Sequence, residues 1–247
     1  IYNEEIMVKE SIETILTYTS NLLHNVSIIA VNDGSNDSTE NLLQEITNRN
    51  EGNKLILLSH QNNKGYGAAL NTGINYALLH KYDYALFMDS DLTNHPKYIN
   101  LFIDKMCEGY EYIKATRYGK GGTVRGVSWK YRCLSIVGNI IAKFLYKLPL
   151  TDLTNGFRAV KLSIYKKMNL KETGFAIIME ELHYAKFITD SFCEIPYELT
   201  VRSKNQGESK FTYNLSTCII YMKYSLNSYF KHIYNKYYNL NIIKKTI

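Results

Sequence analysis

The chain has 247 residues, of which 45% are apolar and 21% are charged, and its formal charge at neutral pH is +6. This balance is typical of one folded α/β domain, and the basic excess predicts an anionic partner. Three prolines and four cysteines without a CxxC pair exclude collagen-like chains and zinc ribbons and disfavour a disulfide scaffold, so we expect a reducing, intracellular location. No apolar run approaches the ~18–20 residues that span a bilayer.

Short apolar runs alternate with amphipathic segments over the first 116 residues, and this rhythm predicts strands and helices in turn. The predicted strands are Val26–Val31, Lys54–Ser59, Tyr84–Met88 and Tyr112–Thr116. The predicted helices are Glu4–Tyr18, Thr39–Thr47, Gly67–Leu79, Pro96–Gly109 and Arg132–Leu148. This alternation favours a mostly parallel sheet with helices on both faces, whose ligands lie beyond the carboxyl ends of the strands.

Two carboxylates, Asp89 and Asp91, directly follow the third predicted strand. Desolvating such charges is costly unless a cation or hydrogen-bond donors offset it, and a divalent metal that shares its shell with substrate phosphates does so. The alternative is an Asx-type cap for the helix that begins near Pro96. The residues alone leave both alternatives open.

Two further loops leave predicted strands. Asp33, before Gly34, is a candidate for contacts with nucleobase or ribose donors, whereas Asp37–Thr39 is typical of helix capping. The Gly-spaced loop Asn63–Ala69 opens a helix, so its N–H groups can face an anion, although a tight turn is the alternative. This loop does not match the GxGxxG motif of dinucleotide-binding sites, and the sequence contains no GxxxxGK[ST] motif of P-loop NTPases. Both absences argue against these two kinds of site. No histidine spacing such as HxxxH indicates a metal site.

The second half of the chain is basic in two places. Residues 117–131 are Gly-rich and contain no acidic residue, and the segment after Phe211 contains five lysines, many tyrosines and no Asp or Glu. This composition favours a membrane interface, with a plain packing helix as the alternative. Trp129 predicts either a membrane anchor or core packing. The chain has no recognised nucleic-acid motif, so we expect no nucleic-acid partner.

These motifs, in this order, resemble those of family 2 glycosyltransferases of the GT-A fold. The first three are Tyr2-Asn3-Glu4, Asp33-Gly34-Ser35 and Asp89-Ser90-Asp91. The later segment is similar to dolichol- and polyprenyl-phosphate sugar transferases. The residues that carry this similarity are Thr116-Arg117-Tyr118, Lys120-Gly121-Gly122, Trp129, Arg132, Ser135, Asn155–Ala159, Gly174-Phe175, Glu180, Arg202 and Gly207–Lys210. Asn32 stands where an Asp is common, and the first strand of the family is missing, which indicates a cut start.

The resemblance implies a single GT-A (Rossmann-like) α/β domain over residues 1–210, with a mixed, mostly parallel sheet, and a basic aromatic tail over 211–247. It implies inverting, metal-assisted transfer of a sugar from GDP-mannose or a UDP-hexose to a polyprenyl or dolichyl phosphate on the cytoplasmic side of a membrane. Anchoring is expected to be peripheral or through segments outside this chain. The alternatives are a family 2 transferase acting on a sugar hydroxyl and a non-catalytic nucleotide-sugar-binding module.

The resemblance also implies residue roles. The residues expected to bind the nucleotide-sugar are Tyr2, Asn3, Glu4, Asp33, Lys64, Asp89, Asp91 and Arg117. The residues expected to hold Mg²⁺ or Mn²⁺ are Asp89, Asp91 and Thr93. The residues expected to face the acceptor phosphate are Arg117, Arg132, Ser135 and Arg202. The catalytic set is Asp89, Asp91, Arg117 and Arg202.

Three charged residues receive other expectations. Arg125 is expected to be a solvated surface charge. Glu180 and Glu181 are both candidates for a general base in principle. The helical context favours a solvated face for Glu181 and a loop or arginine partner for Glu180.

Overall fold

A computed structural model describes residues 1–49, 54–202 and 215–246. The helices are α1 Val8–Ser20, α2 Thr39–Arg49, α3 Tyr66–Leu79, α4 Ile99–Cys107, α5 Trp129–Tyr146, α6 Leu162–Tyr165, α7 Ile177–Ala185 and α8 Leu215–Thr246. The strands are β1 Ile28–Asn32, β2 Leu55–Ser59, β3 Tyr84–Phe87, β4 Tyr112–Thr116, β5 Thr123–Val124, β6 Arg158–Lys161, β7 Phe192–Pro196 and β8 Glu198–Leu199. These elements confirm the predicted α/β class.

The strands form two parallel two-stranded sheets and one mixed four-stranded sheet. β1 and β2 pair in parallel, and so do β5 and β8. The four-stranded sheet has the order β3-β6-β4-β7, in which β6 runs antiparallel to both neighbours and β4 pairs in parallel with β7. The antiparallel β6 was not predicted, because its sequence begins at Arg158 directly after a polar turn and carries no apolar run.

Helices cover both faces of the four-stranded sheet, as predicted. Tyr112 of β4 packs in a core with residues of α3, α5 and α7. Its neighbour Ile113 points to the other face and packs with Phe102 of α4. Successive side chains of a strand point to opposite faces, so one short strand supplies two cores.

Two helices start later in the structure than the sequence predicts. α1 begins at Val8 rather than Glu4, because Asn3 lies in the left-handed region with φ 49° and the Glu4 N–H is bonded to Thr39 Oγ1 at 2.8 Å. The segment predicted as one helix from Pro96 begins with a 3-10 turn over Pro96–Tyr98 and continues as α4.

A cavity of about 1320 Å³ lies between β1 and β3, which are not hydrogen-bonded to each other. Ile1 lies along β1 with parallel-type bonds, its N donating to Val31 O and its O accepting from Asp33 N, both at 2.8 Å. Apolar side chains of α1, α3 and α4 line much of the cavity, and polar side chains line both of its ends. The predicted site residues lie at the end where β1 and β3 finish. The cavity volume exceeds the roughly 300–1,000 Å³ of a small-ligand pocket, so only this end is the candidate site.

The C-terminal helix α8 packs against the domain. Tyr224 Oη donates to Glu172 Oε1 at 2.7 Å, and Ser228 Oγ lies 2.8 Å from His183 Nδ1. The predicted domain boundary at 210 and the Gly207–Lys210 motif lie outside the described residues. Within the part of the chain that the structure describes, no helix is both long enough and apolar enough to cross a bilayer.

Candidate active site

The strand ends bring six predicted site residues to one wall of the cavity. They are Tyr2, Glu4, Asp33, Asp89, Asp91 and Arg202. The predicted residues that do not line the cavity are Asn3, Lys64, Thr93, Arg117, Arg132 and Ser135. The first set joins the amino-terminal segment to the ends of β1 and β3, as the parallel arrangement of strand ends requires.

Asp89 and Asp91 follow β3 and are held by short local bonds. Asp91 Oδ1 accepts from Thr93 N at 3.0 Å and from Thr93 Oγ1 at 2.6 Å. Asp89 Oδ2 accepts from Asn94 Nδ2 at 2.8 Å. An Asx-type turn is therefore present at Asp91, but the cap of the Pro96 turn is His95, whose Nδ1 accepts from Lys97 N.

Asp89 is buried beside the charge of a second carboxylate, Asp91. Burial, and after it the charge of Asp91, raises the pKa of Asp89 to about 6. Within the described ranges, no group of three or more His, Cys, Asp or Glu residues is placed to share a metal ion. Mg²⁺ is commonly held by one or two carboxylates together with substrate phosphates. The hard oxygens and the closely placed charges of Asp89 and Asp91 fit such an ion.

Arg202 connects the carboxylate pair to the amino-terminal segment. Its Nε donates to Asp91 Oδ2 at 2.8 Å, and its Nη2 and Nη1 donate to Glu4 Oε1 and Oε2 at 2.7 and 3.1 Å. Only 12% of its side chain is exposed. A planar guanidinium suits both carboxylates and phosphates, so Arg202 sits where it can interact with a diphosphate.

Asp33 is fully engaged by its neighbours. Its Oδ1 accepts from Lys64 N at 2.9 Å and lies 2.6 Å from His60 Nδ1, and its Oδ2 accepts from Gly65 N at 2.8 Å. Gly65 has φ 102°, which a residue with a side chain rarely adopts. Asp33 therefore fixes the Gly-spaced loop. His60 was not among the predicted site residues, because the one feature that indicates its role in the sequence is its position directly after β2.

Gly156 keeps space open beside the carboxylate pair. A Cβ at this residue would lie 2.9 Å from Tyr66 Oη and 3.9 Å from Asp89 Oδ1. The Tyr66 ring is itself stacked on Phe175 with centroids 4.6 Å apart. Gly156 thus lies beside Asp89, and Phe175 is connected to this part of the site through Tyr66.

Arg117 belongs to a second cluster, at the carboxyl end of β4. Its Nε donates to Asp152 Oδ2 at 2.6 Å and its Nη2 to Asp152 Oδ1 at 2.8 Å, and Nη2 also reaches Thr154 Oγ1 at 3.1 Å. Asn139 of α5 donates to the same Thr154 hydroxyl at 3.0 Å. On α5, the Ser135 hydroxyl is buried without a hydrogen-bond partner among the described residues, and Arg132 is exposed.

The expectation for Glu181 is wrong. Glu181 is fully buried and forms a fork with Arg158, whose Nε and Nη2 donate to its two oxygens at 2.6 Å. Tyr112 and Tyr165 donate to the same carboxylate. The helical pattern indicated a solvated face because such a pattern does not reveal a buried partner on a distant strand.

Four other expectations are confirmed or corrected. Glu180 accepts from the backbone of residues 171 and 172, which confirms a loop partner. Arg125 pairs with Glu198 at the surface with 79% of its side chain exposed, as expected. Trp129 is 71% exposed, so the core-packing alternative is wrong. Asp37 caps α2 by accepting from Thr39 N at 3.0 Å, as predicted.

Solved structures share this fold. The chain superposes on glucosyl-3-phosphoglycerate synthase from Mycobacterium tuberculosis in complex with Mn²⁺, UDP and glucosyl-3-phosphoglycerate with a TM-score of 0.63 and 18% identity, covering 93% of this chain and 77% of that one. The same enzyme in complex with Mg²⁺ and UDP gives a TM-score of 0.60 at 18% identity, over 82% and 68% of the two chains.

Two relatives are similar in sequence. Polyprenol monophosphomannose synthase of Mycolicibacterium smegmatis is 26% identical over 214 residues, covering 85% of this chain and 78% of the relative. Dolichol-phosphate mannosyltransferase of Pyrococcus furiosus is 28% identical over 215 residues, covering 85% of this chain and 56% of the relative. The chain thus spans just over half the length of the latter. The family model for glycosyl transferase family 2 matches residues 1–168, more than half of the chain. The chain belongs to glycosyltransferase family 2.

Proposed function

We propose that this glycosyltransferase moves a sugar from a nucleotide-sugar, GDP-mannose or a UDP-hexose, to a polyprenyl or dolichyl phosphate with inversion and with the help of Mg²⁺ or Mn²⁺. The proposed location is the cytoplasmic side of a membrane. The names of the two sequence relatives support the donor and acceptor classes. The observation that carries the proposal is the distribution of charge in the site. Glu4 pairs with Arg202 and Asp33 with His60, whereas the buried Asp89 is held by the neutral Asn94 beside the charge of Asp91.

The donor half rests on the cavity wall. Asp89 and Asp91 would hold the cation, and their hard oxygens and shared charge fit it. The cation, when bound, supplies charge stabilisation to the departing diphosphate. Arg202 lies beside Asp91 and would contact the same diphosphate. Tyr2, Asn3, Glu4, Asp33 and Lys64 would shape the nucleotide pocket, with Asp33 acting through the loop it fixes. Thr93 as a further metal ligand stays a prediction.

The acceptor half rests on the way in which the other described carboxylates are already engaged. At the end of the cavity where β1 and β3 finish, Glu4 pairs with Arg202, and Asp33 with His60 and backbone N–H groups. Glu180 and Glu181 are held by loop backbone and by Arg158. A hydroxyl acceptor needs a group that removes its proton, whereas a phosphate monoester is already an anion near neutral pH. The arrangement of the described residues favours the phosphate.

The reaction then needs positioning and charge screening. A phosphate oxygen of the acceptor forms the new bond to the anomeric carbon while the bond from that carbon to the nucleoside diphosphate breaks, and the electron pair leaves with the diphosphate. Arg117, Arg132 and Ser135 would hold the acceptor phosphate, the buried Ser135 hydroxyl donating one bond. Arg202 would stabilise the charge on the leaving oxygens.

A donor screen tests this proposal. GDP-mannose, UDP-glucose and UDP-GlcNAc are each incubated with Mn²⁺ and a short-chain polyprenyl phosphate in detergent, and labelled lipid is extracted and counted. We expect one donor to give labelled lipid that disappears with excess chelator and in Asp89→Asn. Donor binding without turnover on any acceptor would instead indicate the non-catalytic module.

A further inference from the structure

α5 is apolar on two opposite sides. One side carries Ala142, Leu145 and Tyr146 into the core. The opposite side is exposed, from 39% at Ile141 to 71% at Trp129. The large apolar side chains on it are Trp129, Leu134, Val137, Ile140, Ile141 and Phe144. A helix that faces water on one side normally carries polar residues there, so this side is suited to contact with something other than water.

α8 carries a matching exposed stripe. Its members recur at spacings of three and four residues, and they are Ile219, Met222, Leu226, Phe230, Ile233 and Tyr237. The two stripes meet through rings: Phe144 stacks on Tyr229 with centroids 6.2 Å apart, and Tyr229 contacts Phe230 at 5.9 Å. We call the surface formed by these two stripes the α5–α8 face.

The charge around the α5–α8 face has one sign. Neither α5 nor α8 contains an Asp or Glu. The exposed lysines on or beside the two helices are Lys130, Lys143, Lys147, Lys223, Lys231 and Lys236. Two copies of this face brought together would oppose lysine to lysine, whereas an anionic lipid surface complements them.

We propose that the α5–α8 face lies in the headgroup region of an anionic bilayer, with its apolar side chains at the acyl boundary and its lysines at the phosphates. Apolar side chains flanked by lysine, on helices lying along a surface, are the pattern of interfacial binding. Neither helix within the described ranges qualifies as a membrane span, so the face binds from one side.

The docking helix also carries the candidate acceptor site. Ser135 and Asn139 lie on the buried side of α5, and Asn139 bonds both Thr154 Oγ1 and the Leu153 N–H, the latter at 2.7 Å. Thr154 in turn contacts Arg117. A lipid phosphate at the bilayer surface would therefore meet α5 first. This link deepens the proposed function and rests on it, whereas docking itself does not.

Vesicle flotation tests the docking. The wild-type protein is mixed with vesicles of phosphatidylcholine and phosphatidylglycerol that contain no acceptor lipid. Trp129, the single tryptophan of the chain, reports insertion through a blue shift and through quenching by brominated lipid. We expect binding that weakens with salt, and a loss of about tenfold in Ile141→Asp. Leu79→Asp, at an exposed apolar residue of α3 (77% exposed), is the matched control and should bind like wild type.

A second variant covers the case in which Ile141→Asp fails to fold. Lys143→Gln/Lys147→Gln should weaken binding about fivefold for each lysine that faces the lipid (about 1 kcal/mol). Absence of wild-type binding at low salt, equal binding by both aspartate variants, or self-association that buries Trp129 would overturn the docking. Vesicle binding with no transfer to any acceptor in detergent would keep the docking and reject the proposed function. Transfer in detergent without vesicle binding would do the reverse.

Discussion

Replacing Asp91 by Asn isolates the role of one charge, because the side chain keeps its shape. Burial and the charge of Asp91 together raise the pKa of Asp89 from 3.8 to about 6, a difference worth about 3 kcal/mol. The substitution relieves part of that cost and loses the charge-assisted bond to Arg202, which is worth about 1.5–3 kcal/mol, so the two effects largely offset each other. We therefore expect the free energy of unfolding to change by less than about 1 kcal/mol.

Cation binding should respond far more strongly than stability. Loss of one of two carboxylate ligands should weaken Mn²⁺ binding in the presence of a nucleoside diphosphate by about 100-fold or more, or about 2.7 kcal/mol. Titration calorimetry gives the affinity and urea unfolding gives the stability. Asp104→Asn, at an exposed position on α4, is the matched control and should change neither. If Asp91→Asn binds Mn²⁺ as tightly as wild type, the assignment of the pair to a cation is refuted.

Three further outcomes are expected. The pKa of Asp89 is raised in the folded state, so its protonated form stabilises the cation-free protein below about pH 4, and this stabilisation is lost as the pH rises to about 6. Urea midpoints measured from pH 4 to 7 should fall over this range in wild type and not in Asp89→Asn. Arg158→Met should cost about 3–5 kcal/mol in urea unfolding because it leaves the Glu181 carboxylate buried and unpaired, whereas Arg125→Met at the exposed pair should cost less than about 1 kcal/mol. Arg117→Ala should abolish transfer to the lipid acceptor and leave donor affinity by calorimetry within about threefold of wild type. The reason is that Arg117 pairs with Asp152 and does not line the cavity. A loss of donor affinity as large as the loss of transfer would assign Arg117 to the donor site instead.

The parts of the site that follow strands were predictable from local pattern. An apolar run that ends in carboxylates places them at the end of a strand, and the ends of β1 and β3 bring Asp33 and Asp89 to one cavity. Capping by Asp37 was predictable for the same reason, since its partner lies two residues away. In each case the partner is near in sequence or is implied by the alternation of strands and helices.

The parts that failed depend on contacts between distant elements. Glu181 carries a charge that a helical pattern assigns to the surface, yet it is buried because Arg158 lies across the fold from it. His60 is set by its bond to Asp33, which is 27 residues earlier. The exposure of the outward side of α5 was also not predicted: apolar residues all around a helix are typical of a buried one, whereas Ile140 is 63% exposed.

The most direct test of the central claim compares two acceptors that differ only in the phosphate. A short-chain polyprenyl phosphate and the corresponding polyprenol are offered to the wild-type protein with Mn²⁺ and the donor selected by the screen, and labelled lipid is measured over time. We expect labelled product from the polyprenyl phosphate and none from the alcohol, because the arginines of the described site suit an anion and its carboxylates outside the Asp89–Asp91 pair are already held by protein groups. Equal labelling of the alcohol, or efficient labelling of a soluble sugar hydroxyl with none of the lipid phosphate, would contradict it.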